Sequence, residues 1–220
     1  MRLPFKFSKA LLARFPEAFR RYFDTKWKQV TLMYNARGEG LIDIKKAFNM
    51  TAAGEAALTA LVAEKAWAEL NYDDAVYAIM GYVNRILSYT HDSQQFGKVE
   101  YWADAFTTWQ SRQDDCDGYA VLIAVLCWLA GVPRYRLKVV AGNVELNNKL
   151  VGHAYCVYLK ELDSRWYTVE GPYWAADARK RYRENVPHSE ATNYKSFWWT
   201  TTDTISWAQH DLTINHGIGD

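Results

Sequence analysis

The run Asp114-Asp115-Cys116-Asp117-Gly118-Tyr119 sets a thiol among three carboxylates, immediately ahead of an apolar stretch over residues 120–130. Of the three cysteines, Cys127 lies between Leu126 and Trp128 and Cys156 between Tyr155 and Val157, settings in which a thiol behaves as a small hydrophobe. Cys116 is the one placed for chemistry. A thiol attacks a carbonyl as thiolate, and two devices stabilise that anion: a helix N-terminus behind it and an imidazole beside it. The start of an apolar helix at Cys116 supplies the first. Asp114, Asp115 and Asp117 oppose the anion by repulsion, so the scheme demands a cation next to the sulfur, either an imidazolium or a bound metal.

That requirement turns attention to the five histidines. His153 opens the alternating segment Gly152-His153-Ala154-Tyr155-Cys156-Val157-Tyr158-Leu159, whereas His91, His188, His210 and His216 lie in loop-like or tail contexts. A third segment, Trp166-Tyr167-Thr168-Val169-Glu170-Gly171-Pro172, puts Trp166, Thr168 and Glu170 on one face and ends in a carboxylate before a breaker. Such a carboxylate can orient His153 through its ring N–H. Singly, a strand histidine is more often a satisfied sheet residue and a strand-end glutamate a surface one. The order is what joins them: cysteine at a helix start, histidine on a strand, acid on the next.

The elements that must position these groups follow from pattern. Residues 5–35 carry Phe15, Phe19, Tyr22, Phe23 and Trp27 at spacings of three and four, which predicts an amphipathic helix broken near Pro16. Residues 52–70, rich in Ala, Leu and Glu, predict a second helix. Asn71 to Asp74 supplies a turn and cap for a third, over 75–87. Residues 88–113 are irregular and aromatic. Asp114 or Asp115 caps the helix that follows, which is apolar nearly all round and therefore buried, with Gly131 and Pro133 ending it. Segments 135–141, 152–159 and 165–170, joined by hairpin-length loops, predict an antiparallel sheet. The expected class is α+β, with a helical N-terminal extension over 1–75 and a core over 76–220 that carries the cysteine, the histidine and the acid.

At 220 residues and 50% apolar content the chain can bury a large core, and its three cysteines at irregular spacing make neither a disulfide framework nor a zinc site. No signal-peptide h-region stands near the N-terminus and no apolar run reaches a membrane span, so the expected compartment is the cytoplasm, with association with a virion or larger assembly left open. Net charge is +1, yet the first thirty residues carry eight Lys and Arg against two acids. This basic arm reads first as a solvated helix face. It could also meet an assembly partner or an acidic surface; nucleic acid is not the expected partner.

Cys116 in DDCDGYA with Ala130-Gly131-Val132-Pro133 downstream, His153 in Gly-His-Ala, and the acid four residues after Trp166 together resemble the transglutaminase-like cysteine enzyme superfamily. The approach from Val83-Asn84 through Tyr101-Trp102 is also similar to the bacterial transglutaminase-like cysteine proteinases. The resemblance spans about residues 75–175. It implies a papain-like core in which Cys116 is nucleophile, His153 base and then acid, and Glu170 the orienter where the family usually has aspartate. Asp163 is the fallback for that third place. For a side-chain donor to the oxyanion, Gln110 has a spacing similar to the glutamine of papain-like proteases, and Trp109 offers an indole N–H.

Related calcium-dependent proteinases bind calcium through acids flanking the cysteine, which makes Asp115 and Asp117 candidate ligands, although helix capping accounts for them more simply. The thiol chemistry itself requires no cofactor. The expected reaction is acyl transfer at a peptide or glutaminyl amide, hydrolysis ahead of transglutaminase cross-linking. A scaffold or binding module that keeps the fold without turnover is the rival.

Overall fold

The computed structural model describes residues 28–30, 33–36, 40–171 and 186–208. The basic arm up to Lys26, the first part of the aromatic helix expected over 5–35 and the last twelve residues lie outside them. Three short strands come first: β1 (Lys28–Val30), β2 (Met33–Ala36) and β3 (Gly40–Asp43), the last two forming an antiparallel hairpin. Strand therefore replaces the helix expected over the end of 5–35. Val30 and Tyr34 favour extended backbone, and each pairs with a neighbouring strand, Val30 with Ser206 and Tyr34 with Ile42.

After a 3-10 turn over Ile44–Phe48, α1 (Ala52–Glu64) starts where Thr51 Oγ1 accepts the Gly54 N–H at 3.1 Å. It stops short of residue 70 because Ala66 turns left-handed, at φ 53°, into a 3-10 turn over Trp67–Glu69. Asn71 then caps α2 (Tyr72–Ile86), accepting from Asp74 N–H at 2.9 Å. The aromatic stretch expected to be irregular holds β4 (Ser88–Tyr89), α3 (Asp92–Gln95), α4 (Ala105–Ser111, capped by Asp104) and β5 (Gln113–Asp114).

Next comes α5 (Cys116–Leu129), whose residues from Asp117 to Trp128 are all buried. A helix with no polar stripe needs cover on every side. Helices α1, α2 and α4 cover it on one side and the sheet on the other, and Cys156 donates its S–H to the Ala120 carbonyl at 3.2 Å across that contact. Ile44, Phe48, Leu58, Leu61 and Trp67 belong to the same core as α5, so packing runs continuously across residue 75.

The sheet is completed by β6 (Leu137–Leu146), β7 (Lys149–Leu159), β8 (Trp166–Val169), β9 (Tyr194–Thr201) and β10 (Ser206–Ala208). Its order is β1-β10-β9-β6-β7-β8, with every pair antiparallel. β6 and β7 extend into the 142–151 stretch expected to lie between strands, because Asn147 and Asn148, at φ 51° and 60°, close a two-residue turn. Asp73 ties α2 to the far end of β7, accepting from Tyr158 O–H at 2.7 Å and from the Glu161 and Leu162 N–H groups. Among the described residues no helix is long and apolar enough to cross a membrane.

Candidate active site

Cys116 is the first residue of α5, and its position is set by the residues just before it. β4 and β5 pair in parallel, placing Tyr89 beside Asp114, and the Thr90 N–H donates to the Asp114 carbonyl at 3.0 Å. The Asp114 side chain is fully buried, accepting from Thr108 Oγ1–H at 2.6 Å and from the Asp115 N–H at 2.9 Å. Asp115 caps the helix by accepting the Asp117 N–H. Gly118 makes room for this arrangement, since a Cβ there would lie 2.1 Å from Asp114 Cγ. Gly118→Ala is therefore expected to cost roughly 1–3 kcal/mol of stability in chemical denaturation, the range for overpacking a tight site.

Cys116 is half-buried and lines a cavity of about 390 Å³ together with His153, Tyr89, Glu100, Trp102 and Trp198. Burial, and after it the charges of Asp115 and Asp117, hold its thiol well above the usual range; a hydrogen bond from the Ala154 N–H pulls the other way. The thiol thus needs positive charge beside it before it can ionise near neutrality.

His153 and Glu170 meet because of sheet geometry. In the β7–β8 register Val157 faces Thr168, and period two puts His153, Tyr155, Val157, Thr168 and Glu170 on one face. Glu170, just past the end of β8, lies diagonally across from His153. His153 Nε2 and Glu170 Oε1 are 2.9 Å apart, with both residues buried. Glu170 Oε1 also accepts the Gly171 N–H at 3.0 Å, and Oε2 accepts from Tyr194 O–H at 2.8 Å. Asn84 Nδ2 donates to the Glu170 carbonyl at 3.0 Å, fixing the main chain. Asp163, the fallback, instead accepts from Tyr167 O–H and the Arg165 N–H.

A second cluster surrounds the cysteine. Asp92, Asp114, Asp115 and Asp117 each present an oxygen, all within 4.8 Å of one another. Asp92 Oδ2 accepts the Tyr101 N–H at 2.6 Å, but among the described residues no donor reaches Asp92 Oδ1 or either oxygen of Asp117. Burial first, and the neighbouring Asp115 charge after it, raise Asp92 to about 8 and Asp117 well above the carboxylate range; burial raises Asp114 to about 7. Four clustered carboxylates, with Asp92 Oδ1 and both Asp117 oxygens buried and lacking a donor among the described residues, form a hard, oxygen-rich set of the kind that suits calcium or magnesium.

A scan against models of protein families and a search of curated proteins gave no match. Solved structures did. LapG of Legionella pneumophila, a transglutaminase-like cysteine protease, superposes in its EGTA-treated form with TM-score 0.53 at 12% identity, covering 75% of this chain and 83% of that one. This chain has the LapG fold, a mixed arrangement of helices and an antiparallel sheet. The calcium-bound form of LapG gives TM-score 0.53 at 11% identity over the same shares, and a third LapG structure 0.52 at 13%, over 75% and 85%. At such identities the likeness is one of fold.

Within this fold, Cys116 and His153 line one cavity and Glu170 pairs with His153. Trp109 and Gln110 are elsewhere, which corrects the expectation that either serves the oxyanion. α4 turns Ala105 and Thr108 inward, so Gln110 is exposed, and Trp109 donates to Tyr82 Oη at 3.2 Å beneath the Arg112 guanidinium. Neither lines the cavity. Sequence reasoning missed Asp92 as a member of the acidic cluster, because it stands in the irregular, aromatic 88–113 stretch, and Tyr194, because nothing local marks its reach to Glu170.

Proposed function

We propose that this chain is a cysteine hydrolase acting on peptide or glutaminyl amides through Cys116, His153 and Glu170. The buried 2.9 Å pairing of His153 with Glu170, on the wall of the cavity that exposes Cys116, carries this reading. With Nε2 engaged by the carboxylate, Nδ1 is the ring nitrogen that serves the thiol. Cys116 Sγ gives its proton to His153 and attacks the amide carbon. The oxygen that gains charge faces the Cys116 N–H at the start of α5, where helix-end donors favour an anion. His153, now imidazolium and steadied by Glu170, protonates the departing amine, leaving a thioester on Cys116. Water then attacks with His153 as base, releasing the acid and the thiol.

The oxygens of Asp92, Asp114, Asp115 and Asp117 fit calcium, the ion named for one of the LapG structures. Bound there, calcium would supply positive charge that offsets the carboxylates opposing the Cys116 thiolate. The chain's part is to hold those four side chains together: Thr108 fixes Asp114, the Tyr101 N–H fixes Asp92, and the first turn of α5 carries the other two.

Digestion of a peptide library, with a peptide aldehyde as trapping probe, tests the proposal. Fragments and a covalent adduct on Cys116 are expected from the wild type, and neither from Cys116→Ala. A wild type that gives neither supports the scaffold reading instead.

A further inference from the structure

We propose that Tyr194 is a positioning residue of this site, its phenol holding the Glu170 carboxylate in the orientation that fixes the His153 ring. The inference rests on the hydrolase reading above and adds a part that the cysteine, histidine and acid do not supply. A glutamate has one more rotatable bond than an aspartate, so a glutamate in the third place must lose more freedom to hold a histidine. Asn84 pins the Glu170 main chain through its carbonyl, leaving the side-chain torsions to be fixed.

Three donors fix them. An ionised carboxylate only accepts, so Nε2 of His153 carries the proton it shares with Oε1, and the Gly171 N–H shares that oxygen. Tyr194 O–H takes Oε2 at 2.8 Å from the opposite side. Without it the carboxylate keeps its grip on His153 through one oxygen and can swing about that point.

Tyr194 is itself held. It sits on β9 in register with Val144, and its ring packs against Tyr155 and His188, at centroid distances of 4.7 and 5.2 Å. Thr168 Oγ1 and His188 Nδ1, 2.9 Å apart, fix the far side of that aromatic group. Among the described residues, the ionisable groups near Glu170 include His153, Tyr155 and Cys156 from β7, His188 from the turn before β9, and Tyr194. Burial lowers His188 to about 4, so near neutrality it stands beside Glu170 uncharged.

The test uses the full chain with calcium in excess, in four forms: wild type, Tyr194→Phe, Glu170→Gln and the double variant. Phenylalanine keeps the ring and its contacts while removing the hydroxyl. The first readout is the tautomer of His153 from imidazole 15N shifts, which a loss of packing alone leaves in place. The second is the rate at which iodoacetamide alkylates Cys116 at pH 7. Tyr194→Phe is expected to bring up the Nδ1–H tautomer beside the Nε2–H form and to slow alkylation about tenfold, near the low end for a hydrogen bond to a charged group.

In the Glu170→Gln background the same change is expected to slow it by less than about twofold, since the two residues act as one unit. An unchanged tautomer and rate in Tyr194→Phe, or an equal loss in the Glu170→Gln background, overturns the positioning role while leaving the hydrolase reading intact. A wild-type Cys116 that alkylates no faster than Cys127 overturns the hydrolase reading, and the role of Tyr194 with it.

Discussion

His153→Ala is expected to slow the reaction of Cys116 with an electrophilic peptide probe about a thousandfold at pH 7, within the range that a positioned acid–base group contributes. The size of the effect follows from the setting of the thiol. Burial and the charges of Asp115 and Asp117 already hold it well above the usual range, against which the Ala154 N–H and the helix start work. Each pKa unit of thiol destabilisation removes about a factor of ten in thiolate near neutrality. Taking away the imidazole therefore leaves a nucleophile far weaker than a free cysteine. His153 is buried beside Glu170, so the alanine variant also strands a carboxylate; thermal denaturation of the variant separates that loss from the loss of reactivity. A His153→Ala protein that folds and reacts at the wild-type rate contradicts the proposed chemistry.

Calcium is expected to raise the thermal midpoint by about 5–10 °C at one hundred times its dissociation constant, from about 2.7 kcal/mol of binding linkage in a chain of this size. The rise will be larger at pH 8 than at pH 5. In the ion-free protein the folded-state pKa values of Asp92 and Asp114 lie at about 8 and about 7, above those of an unfolded aspartate. Between the unfolded and the folded values the native state binds more protons, so its stability falls as pH climbs from about 4 through 8. Calcium takes the place of those protons, and the ion-free and calcium-loaded curves draw apart toward alkaline pH. Scanning calorimetry in EGTA and in calcium reads both curves. Superimposed curves at pH 8 would falsify the proposed cation site.

The three residues read from the sequence were legible because their signals are local. A cysteine between capping aspartates marks a helix start, period-two alternation puts His153 on a strand, and the same period carries Glu170 to the corresponding face of the next strand. The antiparallel sheet was legible for the same reason, though its hairpin turn was not, because Asn147 and Asn148 had to be recognised as left-handed positions. What stayed hidden depends on pairing at a distance. β9 and β10 lie outside the three segments expected to be strands; it is the ladder with β6 that places Tyr194 against Glu170. Asp92 reaches the acidic cluster because its helix packs beside β5, a contact that no spacing records. Trp109 and Gln110 failed for the converse reason: a spacing borrowed from other folds says nothing about how α4 is rotated.

The most direct test of Cys116 as an activated nucleophile is the site-resolved rate of iodoacetamide alkylation at all three thiols of the native wild-type chain, read by peptide mass spectrometry near neutral pH in calcium. Cys127 and Cys156 are fully buried, and burial raises both thiols. Cys116 is expected to be modified at least about a hundredfold faster than either, as for a thiolate held by an imidazolium. Equal and slow modification of the three would contradict it.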